Sequence, residues 1–83
     1  MASPEQIQSW ARTEALLREA RFALPGEVAV TLRNDLEQFE EFLQHNELGL
    51  ALDYLQGIVE EGDCATPSLT RLLRLAAENM ERD

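Results

Sequence analysis

The sequence of 83 residues contains no lysine, a single cysteine and a single histidine. With Cys64 alone, no internal disulfide can form, which excludes the disulfide-stapled domains common among small secreted proteins and fits a reducing cytoplasm. The first residues contain no cationic segment followed by an apolar run, and no stretch reaches the roughly 18 apolar residues that a membrane span needs. We therefore expect a cytoplasmic protein that does not enter a membrane.

The side chains that most enzymes use are also scarce. A single histidine, His45, excludes the pair of helical histidines that binds zinc, and Glu41 one turn before it is more typical of a surface pair than of a metal site. Cys64 has no lysine or histidine near it in sequence that would activate it as a nucleophile. The four glycines are scattered and form no phosphate-binding loop. The sequence therefore predicts a protein that is not an enzyme, with no catalytic residues, no metal and no cofactor.

Positive charge is almost absent from the middle of the chain. Residues 1–25 and 64–83 each hold three arginines and three acidic residues, so the whole formal charge of -9 lies on residues 27–63, where Arg33 is the only cation. Nucleic acid and anionic membranes are therefore unfavourable partners, and we expect a basic protein partner instead. The alternative interpretation is a solvated acidic face that only keeps the protein soluble.

Apolar residues recur at helical spacing along nearly the whole chain. The predicted helices lie at about residues 3–22, 27–45, 47–61 and 67–81. Ser3-Pro4 and Thr66-Pro67 each place a capping residue before a proline at the first helical position, and Pro25-Gly26 interrupts the pattern. Gly62 is expected to end the third helix, and Asn46 to cap its start.

The inward stripes of these helices predict the core. Their residues are Trp10, Leu16, Leu17, Ala20 and Leu24, then Leu32, Leu36, Phe39 and Leu43, then Leu48, Ala51, Leu52, Leu55 and Val59, and finally Leu69, Leu72, Leu73, Ala76 and Met80. The connections are short, which places successive helices side by side and antiparallel. Residues 1–83 are thus expected to form one all-α domain, a compact antiparallel three- or four-helix bundle with a thin core.

The third predicted helix has an unusual outer face. Opposite its apolar stripe lie Leu50, Asp53, Tyr54, Gly57 and Glu61, with Glu47 near the edge. An exposed leucine and tyrosine one turn apart, within a ring of carboxylates, are typical of a protein interface. The alternative is a central helix that the other helices bury on both sides, and the sequence alone favours neither.

Residues 39–61 also resemble a known family. An acidic segment, Phe39-Glu40-Glu41-Phe42-Leu43-Gln44-His45-Asn46, is followed by Glu47-Leu48-Gly49-Leu50-Ala51-Leu52-Asp53-Tyr54-Leu55. This order resembles the MafI-type family of small bacterial immunity proteins, which carry a similar Glu-aromatic-Gly-Leu-Ala-Leu stretch after an acidic helix. Leu48 stands where an aromatic residue is usual, and outside residues 39–61 the likeness is limited to length, acidity and helix order.

The resemblance implies a protein that binds a cognate secreted toxin, often one acting on nucleic acid, and inhibits it stoichiometrically in the producing cell. The acidic charge of residues 27–63 agrees with this function, because an enzyme that handles a polyanion has a basic cleft that an acidic helical face can occupy. The predicted partner-binding residues are Glu37, Glu40, Glu41, Glu47, Leu50, Asp53, Tyr54 and Glu61. The free chain is expected to be a monomer or a weak homodimer. The alternative function is a small acidic helical adaptor or a self-associating interaction module.

Overall fold

Helices make up all the regular structure in residues 3–81, which the computed structural model describes with every side chain except those of Gln6 and Glu81. They are α1 (Pro4–Phe22), α2 (Gly26–Thr31), α3 (Arg33–Gln44), α4 (Leu48–Glu61) and α5 (Pro67–Glu81). The predicted all-α class is confirmed. Of the single domain predicted over residues 1–83, positions 1, 2, 82 and 83 lie outside the described residues. Within those residues, none of the helices combines the length and the apolar character needed to cross a membrane.

The helices form two antiparallel pairs that pack against each other. α1 lies along α5, so that Ser9 near the start of α1 meets Asn79 near the end of α5. α3 lies along α4 in the same manner, and Asp35 near the start of α3 shares a groove with Glu61 at the end of α4. Because α4 also contacts α1 and α5, the two pairs meet on this helix. The arrangement is a helical bundle, as the sequence predicts.

The helix predicted over residues 27–45 is two helices in the structure. α2 ends at Thr31 and α3 begins at Arg33, because the backbone of Leu32 leaves the helical region at φ -108° and ψ 33°. The segment before Leu32 is rich in valine and threonine, whose branched side chains lose rotamer freedom in a helix and so favour it weakly. The N–H of Leu32 still donates to the carbonyl of Val28 at 2.9 Å. The prediction of one continuous helix is therefore wrong at Leu32.

The core consists mainly of the apolar stripes that the sequence predicts. The largest fully buried side chains are those of Leu17, Phe39, Leu55, Ile58, Leu69 and Thr13. Of these, Ile58 and Thr13 are absent from the predicted stripes. Five predicted core residues are instead half-buried and pack against the edge of the core: Trp10, Leu16, Leu32, Leu72 and Met80. A bundle of this size has few residues that can be enclosed on every side.

Thr13 is polar and fully buried between α1 and α5. Its hydroxyl donates to the carbonyl of Ser9 at 3.1 Å and accepts a hydrogen bond from the side-chain amide of Asn79 at 2.7 Å. The same amide donates to the Ser9 carbonyl at 2.8 Å. Buried polar groups that are hydrogen-bonded cost little and fix how two elements meet, so this network sets the register of α1 against α5.

Both helices of the α3–α4 pair end next to a residue with a positive φ. Asn46 has a φ of 58° and Asp63 has a φ of 48°. Asparagine and aspartate adopt this left-handed conformation more readily than other residues with side chains, and it is common just after a helix. Asn46 thus belongs to the end of α3. The prediction that it caps α4 is wrong, since Glu47 occupies that position and makes no side-chain capping bond.

Gly62 is needed for close packing and not for its backbone conformation. Its φ of -79° is ordinary for any residue. A Cβ atom added to it would lie 2.9 Å from a methyl group of Val28 and 3.1 Å from the carbonyl oxygen of Ile58. The missing side chain therefore allows α2 to pack onto the end of α4.

We expect Gly62→Ala to lower the free energy of unfolding by about 1–3 kcal/mol, because stiff Val28 and the local backbone must move to admit a methyl group. Gly57→Ala is the matched control. Apart from its sequence neighbours and the surrounding backbone of α4, no heavy atom lies within 4 Å of a Cβ added there. Alanine favours a helix over glycine by about 0.5–1 kcal/mol, so stability should rise. Urea denaturation followed by circular dichroism measures both changes. A Gly62→Ala variant as stable as Gly57→Ala would contradict the close packing.

Candidate partner-binding site

One face of α4 is open because the other faces the core. Its buried residues are Leu48, Ala51, Leu52, Leu55, Ile58 and Val59. At 3.6 residues per turn, the opposite side of the helix carries positions 50, 53, 54, 57 and 61. The side chains of Leu50 and Tyr54 are 48% and 39% exposed. α4 is therefore central without being buried on both sides, and the face that carries Leu50 and Tyr54 is accessible.

A groove runs beside this face, between α3 and α4. It has a volume of about 350 Å³ and is lined by Asp35, Asp53, Tyr54, Gly57, Ile58 and Glu61. We call it the α3–α4 groove. Ile58 is almost fully buried and supplies an apolar floor, whereas Asp53 and Glu61 are exposed. The groove thus combines an apolar base with carboxylates and one aromatic ring.

Tyr54 contributes the aromatic ring of the α3–α4 groove, and Phe42 holds it in place. The two ring centroids are 5.2 Å apart and the ring planes are inclined at 55°, a tilted arrangement that is favourable for aromatic pairs. Phe42 is itself packed against the core. The tyrosine ring is therefore already positioned in the free chain, and such positioning lowers the conformational entropy that any binding there would cost.

Gly57 keeps the α3–α4 groove open. A glycine within a helix costs about 0.5–1 kcal/mol relative to alanine. Packing does not require it, because nothing beyond its sequence neighbours and the surrounding backbone of α4 lies within 4 Å of an added Cβ. Its backbone does not require it either, since the glycines of the described chain have no positive φ. The effect of this glycine is on the surface, where a side chain would project beside Tyr54 and Asp53.

The charge of the α3–α4 groove is not compensated locally. Three of its lining residues are acidic and none is basic. Within residues 3–81 the ion pairs join Arg18 to Glu14 and Glu40, and Arg33 to Glu37, so none of them involves a groove carboxylate. The described His, Cys, Asp and Glu side chains include no group of three that could hold a metal ion. Repulsion among these carboxylates is therefore relieved only by cations from outside the groove.

The predicted glutamates of α3 lie on a different surface. Glu37, Glu40 and Glu41 line a second groove, on the side of α3 toward α1, together with Arg21 and Arg33. The helical period separates the two surfaces, because positions 37, 40 and 41 lie on one flank of the buried stripe of α3 and positions 35 and 42 lie on the other. The eight predicted residues therefore do not form the single acidic face that the sequence suggested.

In this second groove, Glu40 has a structural partner. Arg18 of α1 donates to Glu14 at 2.9 Å and to Glu40 at 3.4 Å, which links α1 to α3. The hydrogen bond to Glu14 raises the pKa of Arg18 above its ordinary value, partial burial opposes that shift, and the charge of Glu40 adds to it. Because Glu40 is paired with Arg18, it has less of its charge available to a partner than an unpaired glutamate has.

Two further predicted residues lie outside both grooves. Glu47 is exposed immediately before α4, and its backbone N–H donates to the carbonyl of Phe42 at 2.8 Å. Leu50 is one turn before Tyr54 on the open face of α4. Both residues extend the accessible surface from the α3–α4 groove toward the α3–α4 turn.

Asp35, Phe42 and Ile58 belong to the site and are missing from the predicted set. Asp35 and Ile58 line the α3–α4 groove, and Phe42 supports Tyr54. The seven-residue spacing of Asp35 and Phe42 was a usable signal, because it places them on one flank of α3, two turns apart. Ile58 gave no comparable signal, since an isoleucine inside an apolar helix is simply a core residue.

Comparisons with protein-family models, with curated proteins and with solved structures find no match to this chain. The resemblance of residues 39–61 to MafI-type immunity proteins therefore stays a prediction.

We expect Glu40→Gln to lower the free energy of unfolding by about 0.2–1 kcal/mol, because it removes the charge that links Arg18 to α3. Glu41→Gln is the matched control, since no ion pair is found for Glu41 in the part of the chain that the structure describes. It should leave stability unchanged or raise it slightly by reducing repulsion. Urea denaturation at low and high salt measures the difference, which salt should diminish. Equal effects of the two variants would count against the link between α1 and α3.

Proposed function

We propose that this chain is an immunity protein that binds a cognate bacterial toxin and neutralises it. The α3–α4 groove and the open face of α4 would enter the basic cleft of a toxin that acts on nucleic acid. The observation that carries the proposal is the α3–α4 groove, in which uncompensated carboxylates lie beside a tyrosine held in place by Phe42. The resemblance of residues 39–61 to MafI-type proteins supports the same surface, because this range includes the whole of α4.

Each part of this surface has a role in such a complex. The carboxylates accelerate encounter with a basic protein and reject acidic ones, while Tyr54 and Leu50 supply apolar area that slows dissociation. Occupation of a basic cleft excludes nucleic acid from it, so inhibition requires no chemistry from this chain, no metal and no cofactor. Protection of a cell calls for a nanomolar dissociation constant, which corresponds to about -12 kcal/mol.

The proposed surface differs from the one expected from sequence in how its charge is distributed. Glu37 and Glu40 each have an arginine partner, at 3.7 Å and 3.4 Å. Asp53 and Glu61 have none among the described residues, and both flank the exposed ring of Tyr54. The proposal therefore gives the carboxylates of α4 a larger part in binding than those of α3.

Co-expression tests the function itself. The product of the gene immediately upstream of the gene for this chain is expressed in a bacterial host, first alone and then together with this chain. We expect growth arrest in the first case and restored growth in the second, with an equimolar complex after purification. A toxic upstream product that this chain neither neutralises nor binds would contradict the proposal.

In the same assay we expect Asp53→Lys combined with Glu61→Lys to abolish rescue and to weaken binding at least about 100-fold, because two attractive contacts become repulsive. Glu37→Lys combined with Glu41→Lys is the matched control, with the same change of charge on the second groove. It should weaken binding much less, mainly through the association rate. Circular dichroism verifies that both variants stay helical, and calorimetry at two salt concentrations measures affinity. A larger loss in the control would assign the contact to the side of α3 toward α1.

The alternative function, a self-associating interaction module, is favoured by one observation, the exposure of Leu50 on the same face as Tyr54. The charge opposes it, since a twofold contact on this face would bring the carboxylates of two chains together. We expect light scattering after gel filtration to give a monomer at micromolar concentration, with at most weak dimerisation at high salt. A dimer that persists on dilution, and that Leu50→Ser dissociates, would replace the proposed function with this alternative.

A further inference from the structure

We infer that the α3–α4 groove receives a single arginine side chain of the partner protein, with its guanidinium against the ring of Tyr54 and hydrogen-bonded to the groove carboxylates. This inference rests on the proposed function, because the arginine belongs to the bound protein. It identifies the chemical group that is recognised, which the charge of the chain alone does not specify.

The size and lining of the groove suit a side chain. At about 350 Å³ it is near the lower end of the roughly 300–1,000 Å³ typical of ligand pockets, and it is open along one side. Ile58 and Gly57 give it an apolar base, and Tyr54 adds an aromatic surface. Such a base accommodates the aliphatic stem of a long basic side chain while the charged end reaches the carboxylates.

The arrangement of charges selects a planar cation over a compact one. The carboxylates of Asp35, Asp53 and Glu61 come from two helices and are not gathered as metal ligands would be. A guanidinium has five N–H donors in a rigid plane and can reach separate carboxylates at once, whereas an ammonium is a compact point charge. The guanidinium also stacks on aromatic rings and is less strongly hydrated, so it leaves water more readily.

Gly57 is the feature that makes room for this side chain. Any side chain at position 57 would project from α4 between Asp53 and Glu61, one turn of helix from each. Glycine makes the helix less stable than alanine would, and no close packing at position 57 compensates for that loss. None of the residues that line the groove is basic, so the cation must come from outside it.

The test is a titration of the whole 83-residue chain, labelled with ¹⁵N, with acetyl-arginine amide and separately with acetyl-lysine amide. We expect acetyl-arginine amide to shift the backbone amides of Tyr54, Gly57 and Ile58 in a saturable manner. Acetyl-lysine amide should bind the same place at least about threefold more weakly, because its compact ammonium group cannot stack flat on the ring of Tyr54 or span separate carboxylates. Equal affinities, or shifts centred on Glu37 and Glu41, would overturn the inference.

Two variants examine the groove directly. Gly57→Leu fills the groove, and Asp53→Asn removes one carboxylate without changing the shape of the groove. Each substitution should lower the affinity for acetyl-arginine amide about tenfold. Glu41→Gln is the control with the same change of charge as Asp53→Asn, and it should have no effect on these shifts. Circular dichroism verifies the fold of each variant. Unchanged affinity in both groove variants would overturn the inference.

The outcome is separable from that of the proposed function, because the titration needs no toxin. Rescue of growth without any groove response to acetyl-arginine amide would overturn the arginine inference and leave the proposed function standing. A specific groove response without rescue would support the arginine inference and count against neutralisation of the upstream product.

Discussion

The packing of α4 is the interaction on which the rest of this small bundle depends. Its apolar stripe is buried against α1, α3 and α5, and Leu55 at its centre is completely enclosed. Because most helical stability in a domain of this size comes from such packing, the α1–α5 and α3–α4 pairs are joined chiefly through this one helix. Because one face of α4 is committed to the core, the opposite face stays accessible, and the same helix thus supplies both the stability of the bundle and the surface that we propose for binding.

A few specific contacts fix the positions of the other helices around α4. The hydrogen bonds of Thr13 with Asn79 set α1 against α5, and Arg18 links α1 to α3. Gly62 allows α2 to approach the end of α4. The polar contacts among them use side chains from the neutral ends of the chain and from α3, and the ion pairs of the described residues leave the carboxylates of α4 unpaired. The acidic middle of the sequence is therefore divided into a paired portion and an available one.

The sequence predicts the helical class and most of the core, because a period of 3.6 residues identifies the inward side of each helix directly. It does not predict the interruption at Leu32, since weak helical preference shows where a helix is fragile but not where it breaks. It also does not predict the α3–α4 groove. Asp35 and Glu61 are distant in sequence, and their proximity depends on how α3 and α4 are rotated against each other. A count of charge also does not separate the two flanks of α3, because counting ignores the helical period that places them apart.

Gly57 has a consequence for the evolution and engineering of this protein. Replacement of this glycine by almost any helix-forming residue should make the free chain more resistant to heat and denaturant. A laboratory selection for thermal stability, or a redesign guided by folding energy alone, would therefore replace it early. On the arginine model the same substitution obstructs the place where the partner is held, so the more robust protein would be the less protective one. Natural selection for protection would therefore retain Gly57, although this glycine makes α4 less stable than another residue would.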